Sequence, residues 1–312
     1  MKLTNKFSKT ESYAHDLPSI DDILRDRPFV RPINFIEDTW GIRILQSCNG
    51  LFLCCSDRGI KIYRKYYVCN PITKKYSTLP RSKFWWLICG LYLAFDPSKS
   101  SYYKVICVRE SEWYPPKEHK YQLEVYSFEP GGCIWRKCGE PFMAPQVNFK
   151  HGVYWNGAIH WLSTTATGKS IYFNPDDQLM MPKVMPTPPI LDDHFSTRNC
   201  YFGESCGHLH YIDVYRMVTG FKVYEMNRDY SEWFCKYRLD LSNIVGINLF
   251  SICTVVRGKK ENDSFLVLQV YDHRATYHHV EVFDHLSCAA SGPFVGFGRR
   301  GLGPHPRRQP FV

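Results

Sequence analysis

One short phrase occurs twice in this chain, and it constrains the fold more than any other feature. The first copy is Cys48-Asn49-Gly50-Leu51-Phe52-Leu53, answered by Tyr67-Val68-Cys69-Asn70-Pro71. The second is Trp155-Asn156-Gly157-Ala158-Ile159-His160-Trp161-Leu162, answered by Ile171-Tyr172-Phe173-Asn174-Pro175. Asn-Gly tolerates positive φ at both positions, which a tight hairpin turn requires. Asn-Pro ends a strand, because proline has no N–H to give to a ladder. Each copy therefore predicts strand, turn, strand and stop. A repeated unit of this kind points to a radial β architecture, a class that holds partners on its loop surfaces.

Looser copies fill the rest. Leu91-Tyr92-Leu93-Ala94-Phe95 stops at Asp96-Pro97, and Tyr103 to Val108 and Tyr121 to Ser127 follow. Gly207 to Ile212 precedes Phe221 to Met226, and Phe265 to Val270 precedes His279 to Phe283. The units recur about every 45 to 60 residues, within reach of kelch-type blades. Alternation is of period two, and no segment past Trp40 carries a helical stripe. The prediction is an all-β, kelch-like β-propeller with helix confined to the leader. Trp135 and Trp233, each following a turn, are predicted on outer blade strands, and Trp155 and Trp161 in the core. The apolar stretch from Phe84 to Phe95 is too short to span a bilayer and reads as a buried strand pair.

Composition narrows the class. Of 312 residues, 44% are hydrophobic and 16% aromatic, enough for one large β core. Thirteen cysteines, an odd number without framework spacing, favour buried free thiols in a reducing compartment, hence cytoplasmic and/or nuclear residence. The opening Met1-Lys2-Leu3-Thr4-Asn5-Lys6 lacks the apolar core of a signal peptide. Net charge is +9, but Arg299, Arg300, Arg307 and Arg308 follow the last acidic residue, Asp284. Subtracting those four from +9 leaves +5 with no basic stripe. Neither nucleic acid nor membrane is therefore an expected partner.

Three chemical motifs fail on context. Gly203-Glu204-Ser205-Cys206-Gly207 has the spacing of a hydrolase elbow, which needs a strand, a sharp turn and a helix. The strand-like His208-Leu209-His210-Tyr211-Ile212 follows instead, so a hairpin is expected. Gly296 to Gly301 matches G-x-G-x-x-G, but Gly303, Pro304 and Pro306 forbid the helix a dinucleotide needs. Cys200, Cys206, His208 and His210 lack the second close pair of a structural zinc site. No catalytic residue, metal or cofactor is assigned. Asn262-Asp263-Ser264 has the form of a glycosylation sequon and reads as a turn.

From about Ile44 to Phe283 the chain resembles the plant F-box-associated domain. The phrases that carry this are Leu45-Gln46-Ser47-Cys48-Asn49-Gly50-Leu51, Asn70-Pro71-Ile72-Thr73-Lys74-Lys75-Tyr76 with Leu79-Pro80, and Leu123-Glu124-Val125-Tyr126-Ser127 with Trp135-Arg136. Gly157 to Leu162, and Val223-Tyr224-Glu225-Met226 with Trp233, complete the ordered set. The resemblance implies a kelch-like propeller that serves as substrate-recognition subunit of an SCF-type E3 ubiquitin ligase. The implied partners are a target protein and, where an F-box is supplied, the Skp adaptor and cullin.

The chain departs from the family pattern at both ends. An F-box opens with Leu-Pro and a helical run of Leu and Ile. Here Leu17-Pro18-Ser19-Ile20-Asp21-Asp22-Ile23-Leu24-Arg25 offers one short amphipathic turn before Pro28 and Pro32. The F-box is expected to be missing or vestigial. From Gly292 the chain is rich in Gly, Pro and Arg without strand alternation, which predicts a disordered tail and an incomplete last blade. The expected domains are thus a leader over 1–40, the propeller over 41–287 and a tail over 288–312.

Target contacts are expected on polar loop insertions, Arg109 to Lys120 and Leu191 to Asn199, at Trp113, Tyr114, His194 and Arg198. Two rival readings remain. One is an adaptor or decoy that binds the same targets without the ligase. The other is a propeller hydrolase or lectin, against which the turns hold no clustered carboxylates and no triad.

Overall fold

The computed structural model describes residues 33–58, 63–82, 87–111, 119–129, 133–189, 198–215, 220–240, 250–258, 264–271, 278–283 and 299–301. The chain divides into two compact units, Met1–Glu37 and Asp38–Val312. In the first, Ile33 and Ile36 are buried and the Ile36 N–H closes a turn on the Ile33 carbonyl. The expected leader helix around Ile20 lies outside the described residues, as do Phe84 and the sequon's Asn262 and Asp263.

The second unit contains no α-helix among its described residues and forms five four-stranded antiparallel sheets. The first comprises β1 (Ile42–Cys48), β2 (Leu51–Ser56), β3 (Tyr66–Asn70) and β4 (Lys75–Thr78). The second comprises β5 (Ile88–Ala94), β6 (Lys104–Glu110), β7 (Lys120–Ser127) and β8 (Trp135–Met143). The third holds β9 (Val147–Trp155), β10 (Ala158–Ser163), β11 (Ser170–Phe173) and β12 (Lys183–Met185). The fourth holds β13 (Arg198–Ser205), β14 (His208–Tyr215), β15 (Gly220–Met226) and β16 (Trp233–Asp240). The fifth holds β17 (Phe250–Val256), β18 (Phe265–Tyr271), β19 (His278–Phe283) and β20 (Arg299–Gly301). Strands pair in chain order within every sheet, and the first strands of consecutive sheets are neighbours from β1 to β17. This is a β-propeller whose sheets are blades.

The repeated phrases do what their chemistry requires. Asn49-Gly50 and Asn156-Gly157 turn β1 into β2 and β9 into β10. β3 and β11 stop before Pro71 and Pro175, where the Asn70 side chain accepts the Ile72 and Thr73 N–H groups and the Asn174 side chain accepts that of Asp176.

Period-two alternation in the inner strands feeds two cores at once. On β5, Leu91 and Leu93 pack toward the first sheet with Leu53, Val68 and Val105. Tyr92 and Ala94, on the other face, pack toward the third with Ile106, Phe149, Ile159 and Trp161. Trp155 joins Leu209, Tyr211, Met226 and Trp233 between the third and fourth sheets, and Val223, Tyr237, Ile252, Val255 and Leu266 join the fourth and fifth. Each of these four junctions has its own hydrophobic cluster. Trp161 is fully buried, with Tyr92 and Phe149 edge-on to its ring at 5.3 and 5.5 Å. Gly152 makes room for this arrangement: a Cβ there would lie 2.5 Å from the Tyr92 ring and 2.6 Å from Trp161 Nε1.

Trp135 and Trp233 open the outermost strands β8 and β16, as predicted. Their indole N–H groups donate to the Pro80 and Pro186 carbonyls, in the segments that lead from the first sheet to the second and from the third to the fourth.

Two expectations need correction. The described part of the apolar stretch, Ile88–Ala94, is a single strand whose partner is β6, because the Asp96-Pro97 turn sends the chain back only after Phe95. The tail, expected to lack strands, supplies β20, with Phe283 opposite Arg299 and Glu281 opposite Gly301. An outer edge offers unpaired N–H and C=O groups, and three residues can pair with it without an alternating apolar pattern.

Candidate functional site: the mouth of the propeller

In each sheet the first and third strands run the same way, so the turns that follow them open on one face of the blades. Three inner strands end there in two-residue hairpins, Asn49-Gly50, Asn156-Gly157 and Cys206-Gly207. All six residues have positive φ, between 44° and 86°, as a type I′ turn requires. β5 instead runs into the loop containing Asp96, Ser98 and Lys99. These four strand ends and Arg228, from the turn after β15, enclose a cavity of about 680 Å³.

The polar groups of the mouth tie neighbouring blades together. Asn49 Nδ2 donates to the Phe95 carbonyl at 2.7 Å, from the first blade to the second. Trp155 Nε1 donates to the Gly207 carbonyl at 2.8 Å and Asn156 Nδ2 to the Arg228 carbonyl at 3.3 Å, from the third blade to the fourth. Asp96 accepts the Ser98 hydroxyl at 2.6 Å and the Ser98 N–H at 3.1 Å, and Lys99 Nζ lies 3.5 Å away. The Ser98 hydroxyl, with that N–H and Lys99, holds the Asp96 carboxyl below its ordinary range. Glu204 accepts the Gly207 N–H at 2.6 Å and so braces its own hairpin. Burial pushes the thiol of Cys48, which lines the cavity, up to about 12 and the Tyr154 phenol up as well, so both groups stay protonated at neutral pH.

Around this polar centre the outer turns of the same face expose apolar side chains. Ile72 follows β3 and is 86% exposed, Ile134 precedes β8 at 63%, and Leu179 lies in the β11–β12 turn at 71%. Scattered single apolar residues are ordinary on a surface. Here they share the face that carries the cavity.

A second polar cluster bridges the fourth and fifth blades. Glu225 lies 2.7 Å from His208 Nδ1, 3.6 Å from His210 Nε2 and 3.9 Å from Arg257 Nη2. Arg257 also donates to the Tyr237 hydroxyl. Burial raises the Glu225 carboxyl, but the two imidazoles outweigh it and bring it down to about 2. Burial lowers the His210 imidazole. His210 is fully buried and Glu225 nearly so, which makes this an internal strut. Cys206 Sγ points instead to the Arg257 carbonyl at 3.1 Å. Among the described residues no group of three or more His, Cys, Asp or Glu is arranged to hold a metal ion.

Ser205 closes β13, and Cys206-Gly207 leads into β14, so the G-x-S-x-G stretch is a hairpin. Its hydroxyl accepts the Arg257 N–H at 2.9 Å. Of the G-x-G-x-x-G run, the described residues lie in β20. No helix of the described residues is long and apolar enough to cross a membrane, and none of the described cysteines is in a disulfide.

Of the loop residues expected to touch a target, Trp113, Tyr114 and His194 lie outside the described residues. Arg198 begins β13 opposite Tyr215, at the end of the strand away from the mouth, so the structure does not bring it there. Sequence reasoning did not single out Asp96, Lys99, Glu204 or Arg228. The Asn-Gly turns that surround them were visible in the sequence, but their convergence depends on how blades sit side by side.

Residues 26–174 match the family model of the F-box associated beta propeller domain. F-box protein At5g07610 of Arabidopsis thaliana is 30% identical over 284 residues, 80% of this chain and 64% of its own length. Putative F-box protein At1g20795 of the same plant is 32% identical over 156 residues, 44% of this chain and 34% of its own length. The chain thus spans less than two thirds of these relatives. Among solved structures, the β-propeller domain of the Trilobed protease from Pyrococcus furiosus aligns with a TM-score of 0.35 at 8% identity, over 82% of this chain and 78% of that one.

Proposed function

We propose that the chain, which over residues 26–174 is similar to the F-box associated β-propeller domain and over 284 residues to an F-box protein of Arabidopsis thaliana, is the substrate-recognition part of an SCF-type ubiquitin ligase. Its work is selection: it holds a target protein on the mouth face so that a bound ubiquitin-transfer machine can modify it. One observation carries this reading, the gathering of a polar cavity and exposed Ile72, Ile134 and Leu179 on the same face of the blades. Such a face combines polar groups that fix orientation with apolar area for affinity. Skp adaptor and cullin join through an F-box, and the complex works in the cytoplasm, the nucleus or both.

The test is target turnover. Proteins that bind the full chain are compared with those that bind a variant carrying Ile72→Glu, Ile134→Glu and Leu179→Glu. The set lost in the variant is expected to accumulate when the chain is removed from plant cells or the proteasome is inhibited. If those proteins turn over at the same rate without the chain, the receptor reading fails. Binding of that set without recovery of Skp or cullin would instead support the adaptor without a ligase.

A further inference from the structure

Among the described residues the mouth holds two acids and two bases, but they are not equally engaged. Asp96 already accepts a hydroxyl and an N–H, and Glu204 accepts the Gly207 N–H. The bases keep most of their donors. Lys99 is 68% exposed along its side chain, with its nearest carboxylate oxygen 3.5 Å away. Arg228 is exposed, and its guanidinium makes one long bond, 3.4 Å from Nη2 to the Gly207 carbonyl. The two bases stand at adjacent hairpin tips, with the Arg228 guanidinium 3.0 Å from where a Cβ on Gly207 would stand. Lys99 Nζ lies 3.6 Å from where a Cβ on Gly157 would stand, and Arg228 is tied through its carbonyl to Asn156. With no side chain on Gly157 or Gly207, an incoming group can approach both.

Resting on the receptor reading, we propose that the mouth recognises a carboxylate side chain on a loop of the target, held between Lys99 at the Asn156-Gly157 turn and Arg228 at the Cys206-Gly207 turn. A guanidinium and an ammonium supply the directional, charge-assisted donors that such a group needs. A carboxylate carries one negative charge. A phosphoryl group carries nearly two, and Asp96 and Glu204 in the same cavity repel it more strongly. Lys99 and Arg228 attract the phosphoryl group more strongly by the same factor, so charge alone does not separate the two anions, and the singly charged carboxylate is the proposed occupant.

The test uses the full chain and blocked Gly/Ser octapeptides bearing two adjacent glutamates, two glutamines, two lysines or two phosphoserines. Binding is followed by fluorescence anisotropy at low and high salt. The glutamate peptide is expected to bind most tightly and to weaken with salt. Lys99→Glu with Arg228→Glu should weaken it at least about tenfold, whereas Lys137→Glu, on the outermost strand β8, should leave it unchanged. Both mouth positions are exposed, so the melting temperature of the double variant should match the parent and exclude a folding defect. The proposal falls if no peptide binds, if the glutamine or lysine peptide binds as well, if phosphoserine binds tighter, or if the double variant binds like the parent. A failure here alongside target turnover that still depends on the mouth face would reject the carboxylate and keep the receptor.

Discussion

Trp161 and His160 are neighbours in β10 and are both fully buried, but they serve the fold differently. Trp161 fills the junction between the second and third blades against Tyr92 and Phe149, with Gly152 cut back to admit it. Trp161→Ala removes a whole indole from a site with rigid walls and should cost about 3 to 5 kcal/mol, read as a shift in the urea midpoint. A midpoint equal to that of the parent would refute this placement. His160 is held as a neutral ring. Val153 offers only a carbonyl, so Nδ1 carries the proton, and Nε2 lies 2.9 Å from the Tyr230 hydroxyl. Burial drives the imidazole from 6.5 down to about 4. The unfolded chain takes up this proton more readily than the folded one, so the contribution is fully present above pH 6.5 and is lost as pH falls toward 4. The loss should approach about 3 kcal/mol across that window. Unfolding followed from pH 7 to 5 should show a shallower pH dependence in His160→Phe than in the parent; equal slopes would contradict the burial argument.

At the level of elements, the recurring device is an outer strand that opens with tryptophan. Trp135 on β8 and Trp233 on β16 bond the Pro80 and Pro186 carbonyls at 2.6 and 2.9 Å. Proline leaves no N–H to satisfy, but its carbonyl still needs a donor where the chain passes between blades. The indole supplies that donor and pins the connection to the rim of the following blade. Trp135→Phe and Trp233→Phe keep most of the apolar area and remove the N–H, so each should cost about 0.5 to 1.5 kcal/mol, with Trp135 at the lower end because water reaches its bond to Pro80. The two sites belong to different blades and share no partner, so the double variant should show the sum. A double variant that deviates by more than about 0.5 kcal/mol from additivity would show that the two pins communicate.

On the scale of the molecule, each of the five sheets is made of four consecutive strands, so among the described residues no sheet mixes strands from the two ends of the chain. Four junctions carry hydrophobic clusters, and among the described residues none joins the fifth sheet to the first. On β1, Ile44 and Leu45 remain 40% exposed. Cooperative protection follows buried contacts. Hydrogen exchange should therefore open β1 before β5 and β9, although all three are inner strands with paired backbones. Uniform protection of the three would mean that the ring behaves as one cooperative unit.

The sequence by itself determined the units. Asn49-Gly50, Asn156-Gly157, Asn70-Pro71 and Asn174-Pro175 fix turns and strand ends through local backbone chemistry, and their recurrence sets how often a blade begins. Burial of Trp155 and Trp161 was legible for the same reason, since strand alternation decides which face a side chain takes. The role of residues 299–301 was not legible, because edge pairing uses backbone groups that leave no pattern in the side chains. The candidate site was not legible either. Asp96, Lys99 and Arg228 are ordinary polar turn residues, and Glu204 an ordinary polar residue near the end of a strand, when read along the chain. Only the side-by-side packing of blades, set by contacts such as Asn49 to Phe95 and Trp155 to Gly207, brings those turns to one mouth. Convergence of distant turns is a property of the blade junctions, and no local stretch of sequence encodes it.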